Sequence, residues 1–195
     1  MSQAPPENVR VAWEQLLAER EAAGSGPPTS DAVLALGAAY GITGGKWLLY
    51  AGAQIDAVWE AVSEAVVLQV GRGRSSARQA GLRRSCCCLL FGCSHSQPAL
   101  GPQGLGRAAK VSPPDHSKGD SHVICAYHPN FADEAGVVEM GAELRRILSV
   151  PSLLPSGTIT FKPDVFTLCG VYARNRWNIP HTTHQLKWRP AAGGG

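Results

Sequence analysis

The sequence predicts an α+β fold. Three observations carry the prediction: stretches with apolar residues at helical spacing, shorter runs rich in β-branched and aromatic residues, and Gly- or Pro-containing turns between them. The 195 residues suit one domain, and a hydrophobic fraction of 44% with five Trp is compatible with a core.

Val9, Ala12, Trp13, Leu16 and Leu17 follow the i, i+3, i+4, i+7, i+8 pattern of an amphipathic helix, with Pro5 and Pro6 before it and Gly24 ending it. Gly24–Pro28 is a turn or linker, after which Ser30 or Thr29 is expected to cap a second helix running to about Tyr40. Gly44 and Gly45 turn the chain into a short strand, Lys46–Tyr50. Asp56 is expected to cap a third helix whose apolar face is Val58, Trp59, Val62, Ala65 and Val66. Trp59 lies on that stripe, which favours a place in the core.

Beyond a long segment of different character, Arg107–Val111 and His122–Tyr127 form a hairpin across the polar turn 113–120. Asp133 or Asn130 opens a fourth helix, with Val137, Met140, Gly141, Leu144, Ile147 and Leu148 inward and Pro151 as its stop. Thr158–Trp177 is the longest β-rich run. Pro163 cannot donate to a ladder, so it divides the run or marks a bulge. Continued past Pro163 at period two, the strand places Val165, Thr167, Cys169 and Val171 on one face. Phe166, Leu168, Tyr172, Arg174 and Arg176 fall on the other, with Trp177 at the end. Alone, such a charged cluster is usually a solvated strand end. His181–Trp188 is a weak last strand, and residues 190–195 are a tail.

The net charge of +3 is unevenly spread. Between Gln69 and Lys110 stand seven Arg or Lys and no acid, so the rest of the chain carries −4, the total less those seven. Residues 70–103 are basic and rich in Ser, Gly and Pro, and are expected to be a disordered insert. The domain is accordingly assigned to 5–69 and 104–189. Cys86, Cys87, Cys88, Cys93 and His95 lack the paired spacing of a zinc site, and no metal or cofactor is expected. His181 and His184 do not form a metalloprotease pair, and no Gly-x-Ser-x-Gly elbow or phosphate-binding Gly loop is present. The expected class is not an enzyme. No apolar run approaches the roughly 20 residues of a membrane span, and the N-terminus lacks a signal-peptide layout. A cytoplasmic or nuclear protein with free thiols is expected.

Gly45-Lys-Trp-Leu-Leu, Asp56-x-x-Trp59, Ala109-Lys-Val-Ser-Pro113, Val123-Ile-Cys-x-Tyr127, Lys162-Pro-Asp-Val-Phe-Thr, Gly170-Val-Tyr172 and Asn175-Arg-Trp177 occur in that order. Together they resemble the basophilic-leukaemia-expressed protein family, over most of residues 8–180 outside the insert. The resemblance implies a fold like translation initiation factor 4E: a curved antiparallel sheet, helices on its convex face and a basic concave face. It also implies a truncated N-terminus, because family members carry an extended segment before the first helix. Removing Val70–Gln103 restores the family spacing, and the flanking codons suit splice sites, which suggests a translated retained intron.

The cap chemistry of the initiation factor is not carried over. Its stacking Trp and following Glu have no counterpart in Leu36–Thr43, and His116 and Ser121 stand where its phosphate-clamping Arg and Lys would be. A 4E-like architecture together with the cluster at Arg174, Arg176 and Trp177 leaves looser binding of RNA or a nucleotide as the leading expectation, through Lys110, Lys162, Arg174, Arg176 and Trp177 and without cap specificity. The alternative is a protein partner held on the convex helices through Trp59.

Overall fold

The computed structural model describes residues 8–72, 108–112, 122–149, 153–154 and 157–189. Most of the predicted insert, its cysteine cluster, the turn 113–120, Pro5, Pro6, Pro151 and the tail lie outside them.

Five strands pair antiparallel into one curved sheet: β1 Gly45–Leu49, β2 Ala108–Val111, β3 Ile124–His128, β4 Gly157–Pro163 and β5 His184–Trp188, in the order β2-β3-β1-β4-β5. The predicted β2–β3 hairpin forms, with Ala109 opposite Ala126 and Val111 opposite Ile124. β1 takes the centre because its alternate residues suit a sheet with one dry face. Gly45, Trp47 and Leu49 are buried, while Lys46 and Leu48 point the other way.

Helices α3 (Ile55–Arg72) and α4 (Glu134–Leu148) cover the dry face. Val58, Val62 and Val66 of α3, with Val137, Met140, Leu144 and Leu148 of α4, pack against Trp47, Leu49, Ile124, Ala126, Ile159 and Phe161. Trp47 is wholly buried and its Nε1 donates to the Val137 carbonyl at 3.1 Å, so the indole is satisfied as well as packed. Gly141 lets α4 come this close, since a Cβ there would strike the Trp47 ring.

A second core lies beyond one end of the sheet. Helices α1 (Val9–Ala22) and α2 (Ser30–Ala39) pack on a short helix α5 (Asp164–Leu168), with Val9, Trp13, Val33, Val165, Phe166, Cys169, Val171 and Ile179 inside. Gly37 of α2 abuts Val165, whose side chain would lie 2.9 Å from any Cβ placed there.

Side chains set the helix starts. Asn8 Oδ1 accepts from Arg10 N and Val11 N, Thr29 Oγ1 from Ala32 N, and Asp133 Oδ1 from Gly136 N. Asp56 does not cap α3. The helix begins at Ile55 out of a single 3-10 turn, Gly52–Gln54, which leaves Asp56 inside the first turn, where its charge still favours the helix dipole. α3 also runs to Arg72, three residues into the segment expected to lack helical period.

The long β-rich run ends where its proline stands. β4 stops at Pro163, and Asp164–Leu168 turns into α5 instead of a second strand. Pro163 has no N–H for a ladder, and Asp164 N donates to the Gly44 carbonyl at 2.9 Å as the last link to the β1 side before the chain turns into α5. Val165, Phe166 and Cys169 then enter the second core at helical spacing, so tertiary packing overrides their strand propensity. The two-faced strand predicted for 165–176 does not exist.

Candidate binding face and its central lysine

The register defines a second face of the sheet, on which none of the buried core side chains of α3 or α4 packs. Directly opposed residues point the same way, so Lys46 shares it with Tyr127 on one side and Lys162 on the other. Leu48, Cys125, Thr160, Lys110 and Gln185 fall on the same face, as do Thr158 and Lys187. Four lysines therefore line a surface whose strand positions include no Asp or Glu.

Lys46 and Lys162 oppose each other on neighbouring strands, about 5 Å apart at Cβ, an arrangement that is repulsive unless compensated. Asp164 compensates one of them. Its Oδ1 lies 2.7 Å from Lys46 Nζ, placed there by the turn into α5. Burial pulls the Lys46 pKa down, but the hydrogen bond and charge of Asp164 outweigh it and leave the group above 10.5.

Lys162 has no such acid. It is only 5% exposed, and among the described residues its ammonium makes no ion pair or hydrogen bond. Its contact is aromatic: Nζ sits 4.1 Å from the centroid of the Tyr172 ring. Burial first, and the neighbouring Lys46 charge second, lower its pKa from 10.5 to about 8.

Tyr172 is held by the turn that follows α5. Gly170 takes a left-handed φ of +70°, Tyr172 N donates to Gly170 O, and the hydroxyl lies 3.5 Å from Thr167 O. Asn175 then clamps the loop. Its Nδ2 donates to the carbonyls of Tyr172 and Ile179, and its Oδ1 accepts from the amides of Trp177 and Ile179. The Asn-Arg-Trp motif thus has a structural first member.

The sequence-predicted residues are distributed unequally. Lys110 is exposed on edge strand β2, and Lys162 is on the predicted face but buried. Arg174 and Arg176 are exposed, yet they do not line one strand face as predicted. They lie in the loop after α5, where Arg174 has a left-handed φ of 61°. Trp177 is partly buried against Trp13, edge to face at 5.1 Å and 77°, with the Arg176 guanidinium 4.9 Å over its ring. It serves the second core and its own neighbour before any ligand. Trp59 is partly buried against the main core.

Lys46, Tyr127, Tyr172 and Lys187 were missed by sequence reasoning. The signal for Lys46 was present, in the alternation of Lys46 and Leu48 with Gly45, Trp47 and Leu49. No signal placed Tyr172 over Lys162, because that contact depends on the turn at Pro163.

Among the described residues no group of three His, Cys, Asp or Glu could hold a metal ion, and no helix is long and apolar enough to cross a membrane. Cys125 and Cys169 are free, buried thiols, and burial pushes Cys169 up to about 11. No family model matches the chain.

Proposed function

We propose that this lysine-lined face binds single-stranded RNA or a nucleotide, and that the chain is a binding protein, not an enzyme, with a fold like initiation factor 4E. The observation supporting this reading is the charge of the face: Lys46, Lys110, Lys162 and Lys187, with Asp164 pairing only Lys46. Arg174 and Arg176 are exposed in the loop after α5 and add positive charge there. Polyanion binding of this kind is driven by phosphate contacts and falls with salt.

A partner-binding role for the convex helices has less support, because Trp59 packs into the core and the exposed Val11 and Val138 stand singly. The test is the anisotropy of a fluorescein-labelled oligouridylate titrated with the full chain and with a Lys110→Ala/Lys162→Met/Lys187→Ala variant. Because the basic segment 73–107 is common to both, the difference reports the face. The variant should bind at least roughly tenfold more weakly and lose about 2 from its log–log salt slope, at about 0.7 per single-strand phosphate contact. Capped and uncapped RNA should lose equally. Unchanged binding would refute the face, and a strong preference for capped RNA would refute the lack of cap specificity.

A further inference from the structure

Lys162 is the most anomalous group in the described structure. A lysine that is 5% exposed with no carboxylate partner is costly to bury, and nothing in the two cores requires its charge. The group above it is equally unusual. Tyr172 is 53% exposed although its backbone is held by the Gly170 turn and by Asn175 on its carbonyl, and its ring lies against Lys162 Nζ. The ring thus meets a cation while about half of the residue, 53%, stays open to solvent.

Resting on the RNA- or nucleotide-binding reading above, we infer that Lys162 and Tyr172 form a subsite for one nucleotide unit, with a phosphate oxygen completing Lys162 and the base stacked on the outer face of Tyr172. The dimensions allow it. A base in contact at about 3.5–4.0 Å on the outer face stands about 8 Å from Nζ, which is 4.1 Å below the ring. The ribose and phosphate pass around the ring edge to close that gap. An anion beside Lys162 would also offset the repulsion from Lys46, whose own charge Asp164 already holds. The lowered pKa of Lys162 agrees with a cation awaiting its counter-charge.

The stack also sets a preference among bases. The Tyr172 π-system is already polarised by a cation from below, so a second cation above it is disfavoured. Neutral bases therefore bind better than a cationic 7-methylguanine.

The test is calorimetric titration of the full chain with 5′-AMP, adenosine and ribose 5-phosphate, repeated on Lys162→Met, Tyr172→Ala and Tyr172→Phe. Thermal melting of each variant confirms that it folds. Tyr172→Ala should weaken AMP roughly 5- to 100-fold and leave ribose 5-phosphate unchanged, while Tyr172→Phe retains AMP affinity. Lys162→Met should weaken AMP and leave adenosine unchanged. GMP should bind at least as well as 7-methyl-GMP. AMP affinity indifferent to both Lys162→Met and Tyr172→Ala overturns the subsite, as does a tenfold preference for the methylated base. If oligouridylate still responds to the lysine variant while AMP does not respond to these, the subsite alone fails. If neither RNA nor AMP binds, the broader reading fails with it.

Discussion

The two faces of the sheet are built from alternate residues of the same five strands, yet they obey opposite rules. On one, Trp47, Leu49, Ile124, Ala126, Ile159 and Phe161 are buried under α3 and α4. On the other, Lys46, Lys110, Lys162 and Lys187 stand among Thr158, Thr160 and Gln185. The first face carries stability through close packing. The second includes a like-charged pair on adjacent strands and a buried lysine without an acid, both of which oppose folding. Where a structure tolerates such terms on one side only, that side is the place to look for a ligand.

The contrast breaks most severely at Trp47. Trp47→Ala should lower stability by about 3–5 kcal/mol, as read by chemical denaturation, by opening a cavity between β1 and α4 and leaving the Val137 carbonyl without its donor. On the other face the sign reverses. Lys162→Met should raise stability at pH 7 by on the order of 2–3 kcal/mol. The wild-type protein should in turn gain stability between pH 8 and 10.5. In that window the unfolded lysine still holds its proton and the folded one has lost it, and the Met variant should not show this rise.

Acid should act on the dry face. His128 is buried beside the start of α4, with Nδ1 2.9 Å from the Asn130 carbonyl and Nε2 3.9 Å from Asp133. Burial lowers its pKa below 6.5 despite those two groups. The unfolded chain thus binds the proton first, and stability should fall as the pH drops through 6.5, with a shallower fall in His128→Phe. The smallest effect belongs to the exposed lysines. Lys110→Ala and Lys187→Ala should each change stability by less than about 0.5 kcal/mol, while still weakening RNA binding.

The α+β class, the β2–β3 hairpin, α1, α2 and α4, and the Thr29 and Asp133 caps were legible because each rests on local periodicity or capping chemistry. The fate of residues 164–177 was not. Val165 and Phe166 read as strand formers, and what turns them into a helix is the gap beside Gly37 and the Gly44 carbonyl waiting for Asp164 N, both distant in sequence. The site inherited this error. Lys162 was legible as part of a basic face, but its burial and its tyrosine neighbour were not. Arg174 and Arg176 were given a common strand face that the turn removes.

The most direct measurement is photocrosslinking of 4-thiouridine-substituted single-stranded RNA to the full chain, with the adducts mapped by peptide mass spectrometry. Adducts on β4 and the following loop, at Lys162 or Tyr172, or on Lys46 and Tyr127, are the predicted result. Adducts confined to α3 and α4, to the segment 73–107, or to no peptide at all would contradict a ligand on the lysine-lined face.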